Sequence, residues 1–572
     1  MAKQIGHIMT NWRDKLFSKS PLSIDLNIDF PNVFPASTPS LFSLLIPYEI
    51  GDIPLPDELN LLSESHLKEK SNNESIPFSW SAGAREGIIL HQRIGRAIEQ
   101  QPSQQSCEEF ALSLYNAIKH VVLLPDKDHI TSFYAIACQD KLAPITYLSQ
   151  LNEQIEQDEA LFKNEIYFQL ILWILKLSPD KNPVKIALGL LRSFRDNTSQ
   201  RLLLLFALHP EFTLYAIRSL KQRLSCEEFE PFLYSFGQRT KGWGRIQFIE
   251  YLPTMLSVNN RYWLLTEGYK NNVMTEYVAY DCVTKGKLLE MLHTHPLDNT
   301  LLLGCSDLLR ALLNGGPAKD IYDYIEGAQV CKAFISQVDV LPPKELKLLH
   351  CVCEIADFVQ NSGEDWLLLE TLGWDDHGQQ QIMSISQNII QKPEWSTLII
   401  EALQHPSRSK NYQASLVAKS LRLDIWELLF SLQKDNPNAD WWHQLMQTDA
   451  SHKIERVVKL AEQQIELTQL NSTDDPLIDT DSEYQPHHAV EYIMQDLGGF
   501  PGIGWSLIKR QLRSPTLRDR NMALNVLSTW SDTLLPHDLY GELTQALTIE
   551  TDKNAYQRIK LFLVNHQGNE EH

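Results

Sequence analysis

The feature that most narrows what this chain can become is a helical apolar period. It recurs, interrupted by short turns, over most of the 572 residues. In 84–100 (AREGIILHQRIGRAIEQ), Ile88, Leu90, His91, Ile94 and Ile98 fall near one stripe. In 106–124, Phe110, Leu112, Leu114, Ile118 and Val121 do the same. Both match a 3.6-residue period. Further helices are expected near 142–157, 160–177, 183–195, 198–208, 211–224, 227–237, 245–257 and 261–268, then at 394–403, 412–421 and from Asp424 and Asp440. The breakers between them are brief: Ser178-Pro-Asp-Lys, Asp196-Asn-Thr-Ser and His209-Pro. Ser106 and Ser225 each precede Cys-Glu-Glu and read as N-caps with acids in the first turn. A helix with one apolar stripe cannot bury it alone, so consecutive pairs must stack. The expected fold is all-α, an α-solenoid of degenerate HEAT-like helix pairs over 83–470, with a C-terminal helical repeat unit at 489–566 and a polar tail at 567–572.

Two stretches break the pattern. Residues 1–82 form an irregular, β-containing segment in this reading. Ser23–Phe30 alternates apolar and polar residues, as a half-buried strand does, and Pro31, Pro35, Pro39, Pro47, Pro54 and Pro56 punctuate the stretch after it. Residues 63–75 are polar and read as an exposed loop. Residues 471–488 (NSTDDPLIDTDSEYQPHH) carry five acids and two prolines with little core material, the composition of an acidic linker. His487 and His488 beside these acids could be drawn as a metal site, but a solvated linker accounts for them.

Charge bounds the partners. Lys and Arg number 51 against 72 Asp and Glu, a net charge of −21. Such a chain repels phosphate backbones unless its cations cluster, so general nucleic-acid binding is not expected. The densest apolar runs, Ile166–Leu177 and Leu202–Leu208, fall short of the ~20 residues that span a bilayer. The first twenty residues lack the apolar core of a signal peptide, and the eight cysteines are too scattered for a disulfide framework. A cytoplasmic protein off the membrane is therefore expected. Cys351 and Cys353 lie about 200° apart on a helix and do not readily share a metal.

The common chemical motifs are missing: no phosphate loop, no dinucleotide-binding glycine pattern, no HExxH, CxxC or GxSxG. His293-Thr-His295 and Asp375-Asp376-His377 read as turn residues rather than ligand sets, so neither metal nor cofactor is expected. The informative block runs from Gly242 to Gly327, dense in aromatics, Asn, Glu and Gly. Its candidate contact residues are Trp243, Arg245, Asn272, Glu276 and Tyr280. The glycines flanking Trp243 permit a close backbone approach or an unusual turn. If Asn272, Glu276 and Tyr280 share a helix, their spacing aligns them on one polar stripe. That stripe contacts a ligand in one reading; in the other, these groups cap helices and lock neighbouring repeats together. A second block runs from Gly498 through Trp505 to Lys509, Arg510, Arg513, Arg518 and Arg520, with Asp519 its one acid. Trp505, Arg513, Arg518 and Arg520 are its candidates. They grip an acidic group in one reading and bond helix C-termini and adjacent repeats in the other.

The segments KGWGRIQFIEYL (241–252), YWLLTEGYKNNVMTEYVAYDC (262–282), NGGPAKDIYDY (314–324) and GIGWSLIKRQLRSPTLRDRNMALNVL (502–527), with FSWSAGAREGIILHQ (78–92), resemble a bacterial family of large helical, HEAT-like proteins. Some of its members are labelled limonene hydroxylase. The resemblance covers about 76–330 and 490–566. That label implies an oxidoreductase, an activity that needs a redox centre. The sequence shows no haem-cysteine loop, no two-His-one-carboxylate pattern and no flavin or nicotinamide fingerprint. The expected function is therefore non-catalytic: a helical scaffold that binds a protein partner, basic in character if charge guides the choice. A bacterial immunity or defence-associated protein that neutralises a cationic toxin by binding is the special case. A hydroxylase-type oxidoreductase is the alternative.

Overall fold

Helix boundaries follow the breakers seen in the sequence. Asp196 accepts from the Ser199 N–H at 2.8 Å, and His209 accepts from the Glu211 N–H with Pro210 in the first turn. Ser225 donates its N–H to the Glu228 carboxylate at 3.1 Å, a capping box. One cap differs from expectation. The helix through Cys107 begins at Gln104, and Ser103, not Ser106, is its N-cap, accepting from Ser106 N–H.

The computed structural model describes residues 22–34, 38–49, 55, 81–91, 103–361, 369–465, 485–514, 516–531 and 534–566. Among them every regular element is helical and no β-strand occurs. The chain is all-α there, which corrects the expected β element. Around Ser23–Phe30 the burial does alternate, with Leu22, Ile24 and Phe30 inside, but no neighbouring strand completes a ladder. A helix serves the backbone instead: Asn27 N–H donates to Gln169 Oε1 at 2.8 Å, Lys176 Nζ donates to Ile24 O at 2.6 Å, and Phe30 packs on Trp173. The expected loop at 63–75 and residues 471–484 of the expected linker lie outside the described residues. Residues 485–488, assigned to that linker, begin a helix, with Pro486 in its tolerated first turn. None of the described helices is long and apolar enough to cross a membrane.

The chain divides into two units, Met1–Pro342 with Cys351–Ile389, and Pro343–His350 with Ile390–His572. In the first unit the helices that matter here are α1 (Ala84–His91), α2 (Glu165–Leu177), α3 (Lys181–Leu190), α4 (Asn197–Phe206), α5 (Pro210–Lys221), α6 (Cys226–Arg239), α7 (Gly242–Tyr251), α8 (Val258–Trp263), α9 (Ala279–Lys285) and α10 (Asn299–Asn314). Helices α3, α5, α7, α9 and α10 lie side by side in that order, while α4 packs on α5 and α6 on α7. A buried ionic cluster ties the first members together. Lys185 Nζ sits 2.6 Å from Glu86 Oε1 and 2.6 Å from Glu211 Oε1; Tyr215 donates to Glu86, and Gly83 N–H donates to Glu211.

The second unit contains α11 (Trp426–Asp435), α12 (Trp442–Met446), α13 (Ser451–Gln464), α14 (Gln485–Leu497), α15 (Trp505–Gln511), α16 (Leu517–Thr529), α17 (Leu539–Ile549) and α18 (Lys553–His566). Helices α12, α14, α16 and α18 form one row. Asp424–Lys453, Glu427–Arg456 and Gln433–Gln464 pair at sequence separations of 29–31. Near-equal offsets mean that α11 and α13 run the same way. Lys509–Asp538 and Arg513–Glu542 repeat the offset of 29 between α15 with its C-terminal end and the start of α17, and Arg520 at the start of α16 pairs with Glu550 just past α17.

Candidate functional site

Much of the block from Gly242 to Gly327 converges on one cleft in the first unit. The end of α6 and the turn after it supply Gln238 and Lys241, α7 supplies Arg245, and α8 with the turns after it supplies Trp263, Glu267, Lys270, Asn271 and Asn272. The cleft holds about 550 Å³ and is open to solvent. Its edge at Leu264–Gly268 is a single π-turn, a rare departure from the α-helix that often marks functional positions. Gly304 of α10 makes room for it: a Cβ there would stand 2.0 Å from the Leu265 carbonyl oxygen.

Arg245 is the hub. Its guanidinium donates to the carbonyls of Thr240 (3.1 Å), Glu267 (3.3 Å), Gly268 (3.2 Å) and Gln238 (3.4 Å) and lies over the Trp263 ring at 5.5 Å. These carbonyls belong to the ends of α6 and of the π-turn, where unpaired C=O groups and the helix dipole both favour a cation. Burial pushes its pKa down, and Cys282 and Glu267 push it back up. Its charge thus faces inward. On the rim, Lys270 pairs with Glu267 at 2.7 Å, and Tyr234 meets Trp263 edge-on. The lining carries three cations, one carboxylate and no His, Cys or Ser.

Asn271 is occupied in shaping its own turn. Its side chain accepts from Val273 and Met274 N–H, both at 2.9 Å, and donates to Tyr269 O. Asn272 accepts from Gly242 N–H at 3.3 Å and so closes the start of α7. Gly242 has φ +53°, the left-handed region that favours glycine. Gly244 provides a close approach, since a Cβ there would lie 3.0 Å from Thr213 Oγ1 of α5.

The other residues of the first candidate set sit elsewhere. Trp243 is buried, its ring 4.6 Å from that of Tyr277 in a tilted arrangement and facing Gly87 of α1, where a Cβ would come within 2.0 Å of the indole. Asn272, Glu276 and Tyr280 do not share a helix: a bend, a 3-10 turn (Thr275–Tyr277) and α9 hold them in succession. The polar stripe is thereby corrected, because the Asn271 turn breaks the helix before Glu276. Glu276 packs towards Gly316, and Lys319 lies 4.7 Å above the Tyr280 ring, so both face the loop 315–320 rather than the cleft. Gln238, Lys241, Trp263, Glu267, Lys270 and Asn271 complete the cleft, and none of them is among the sequence candidates. Their only signal in the sequence is proximity to Gly242 and Asn272.

In the second unit, acids from the preceding and following helices meet the basic block. Trp505 Nε1 donates to Asp538 at 2.7 Å, Arg513 pairs with Glu542 and Gln545, and Arg518 lies 3.2 Å from Glu491. Arg520 binds Glu550 with two N–H groups at 2.8 and 2.9 Å and donates to Ser514 O. Among the described residues no group of three or more His, Cys, Asp or Glu is arranged to hold a metal. Burial pushes the Cys351 thiol well up and that of Cys353 to about 12. Asp375 instead accepts from Gly378 N–H, and His295 pairs with Thr294.

A Gly87→Ala substitution tests the seat of Trp243. The added methyl cannot be placed without moving the indole, and overpacking of this kind costs about 1–3 kcal/mol. Faster amide hydrogen exchange in α1 and α7 is the expected result. The chain matches no protein-family model, no curated protein and no solved structure.

Proposed function

We propose that this chain is a non-catalytic scaffold, an α-solenoid of degenerate HEAT-like helix pairs that binds a protein partner in the cytoplasm. The observation that carries the reading is the constant-offset pairing of next-but-one helices, as at Glu427–Arg456 and Arg513–Glu542. Successive hairpins related by one translation build long surfaces to which each repeat adds a few side chains. The cleft around Arg245 supports it further. It is wide and open, its Trp263 ring is a rigid contact platform, and its lining offers no nucleophile–base pair.

The acidic balance of the whole chain suits a basic partner, and an immunity protein that captures a cationic toxin is the narrower form of this reading. At the cleft the Lys270–Glu267 pair is balanced and Arg245 faces inward, so the lining adds no acidic excess of its own and leaves Lys241 and Lys270 as cations for an acidic side chain of the partner. The oxidoreductase alternative draws on the sequence resemblance alone.

The test is affinity capture with the full chain and a Lys241→Glu/Lys270→Glu variant, each followed by a direct binding measurement on the recovered partner. The reading expects a partner whose affinity drops about tenfold or more in the variant. Equal affinity for both chains removes the cleft from the interface, and turnover of a small molecule by the purified chain removes the scaffold reading.

A further inference from the structure

The first unit holds a second cleft, of about 500 Å³, that the scaffold reading does not use. It lies across the helix Leu148–Gln157 and the C-terminal ends of α3, α5 and α7. Ile145, Leu148 and Tyr215 give it an apolar part, and Asn152, Ser149 and Gln222 add polar groups. Its charged lining is Arg192, Arg218 and Lys221, three cations and no carboxylate, in a chain of net charge −21.

At five places a cation on one helix meets an acid about 30 residues away: Arg261–Glu290, Lys453–Asp424, Arg456–Glu427, Lys509–Asp538 and Arg520–Glu550. At the corresponding place Arg218 meets Tyr251, 33 residues on, and donates Nε–H to its hydroxyl at 2.8 Å. Lys221 lies 5.3 Å from the centre of the same ring. A tyrosine orients both side chains but neutralises neither. Among the described residues neither Arg218 nor Lys221 has an ion-pair partner; Arg192 pairs with Glu156 at the cleft edge. Arg218 and Lys221 stand three residues apart in the last turn of α5, where like charges repel and the helix dipole offsets only part of the repulsion. An anion between them would remove that cost.

We propose that this cleft binds a small phosphomonoester. The phosphate lies against Arg218 and Lys221, with the free N–H groups of the Arg218 guanidinium as donors, and the organic body lies towards Ile145, Leu148 and Tyr215. Phosphate suits the site because its oxygens accept several charge-assisted hydrogen bonds at once. The volume suits a ligand with a body beyond the phosphate, since small-molecule clefts run to about 300–1,000 Å³. This inference is independent of the protein-binding reading.

The test is calorimetric titration of the full chain with adenosine monophosphate, ribose phosphate, inorganic phosphate and adenosine. A double variant, Arg218→Gln/Lys221→Gln, and a control that removes one exposed cation away from the cleft, Lys459→Gln, are titrated alongside. The expected result is saturable binding of at least one phosphomonoester and none of adenosine. Affinity should fall about tenfold or more in the double variant and stay unchanged in the control. No saturable binding of any phosphate-bearing probe, or equal affinity in the double variant and the parent, overturns the proposal. Circular dichroism of the variants separates loss of a ligand site from loss of fold, because both substituted positions are exposed at a helix end.

Discussion

Lys185→Met is expected to destabilise the first unit by about 3–5 kcal/mol, because it removes the ammonium shared by a buried pair of carboxylates. The Lys185 and Glu86 side chains are 3% and 2% exposed, so water cannot replace what is lost. Burial opposes the charge on Glu211. Lys185 and Lys181, with N–H donation from Lys185 and Gly83, outweigh that and hold its carboxyl at about 2. Burial likewise opposes the Lys185 ammonium, but Glu211 and Glu86 outweigh it and raise the pKa above 10.5. Glu211 therefore stabilises the fold fully above its ordinary value of 4.5, and that contribution is lost as pH falls towards about 2. Lys185 contributes fully below 10.5, and its share is lost as pH rises through its elevated folded value. In Lys185→Met the Glu211 carboxyl keeps its burial and loses its main counter-charge, so its pKa moves upward. The variant should therefore lose less stability than the parent as pH falls from about 4.5 towards 2, because less of the Glu211 contribution remains to be lost. Adding Glu86→Gln and Glu211→Gln should recover part of the loss. A chain of two units need not unfold in one step, so the measurement is hydrogen exchange in α1, α3 and α5. Unchanged protection in Lys185→Met would show that the cluster does not hold these helices together.

Trp243→Ala is expected to cost about 3–5 kcal/mol, the range for deleting a buried indole. The ring fills the space left by Gly87 and is flanked by Tyr277, so α1 and the Thr275–Tyr277 turn lose contacts with α7 at once. Trp243→Phe keeps part of that contact and should cost less. Exchange should rise in α1, α7 and the Thr275–Tyr277 turn in proportion to the volume removed. A Trp243→Ala chain as protected as the parent would mean that the indole is not part of this core.

Helix positions are largely legible in the amino-acid order. The expected helices at 183–195 and 211–224 appear as Lys181–Leu190 and Pro210–Lys221, because period and breaker are relations between residues a few positions apart. The expected helix at 160–177 is interrupted. Asn164 accepts from Ile166 N–H at 2.9 Å and restarts it as α2, a competition between side chain and backbone that the apolar pattern does not reveal. The N-terminal alternation at Ile24 and Phe30 is right about burial and wrong about a sheet. Period two reports which side chains are inside and not what the backbone bonds to.

The candidate residues show the limit more sharply. Trp243 and Arg245 stand out for composition, glycine flanks and charge. Nothing local says that the indole is buried under α1, or that the guanidinium spends its N–H groups on four carbonyls. Local order suffices for the helical periods, the caps and the net charge, because each depends on neighbours within about one turn or on a simple count. It does not suffice to put Lys185 between two acids, to match the cations of the C-terminal block with Asp538, Glu542 and Glu550, or to give Arg218 a tyrosine instead. Those partners stand about 30 to 100 residues away, and only the packing of one helix on another brings them within hydrogen-bonding distance.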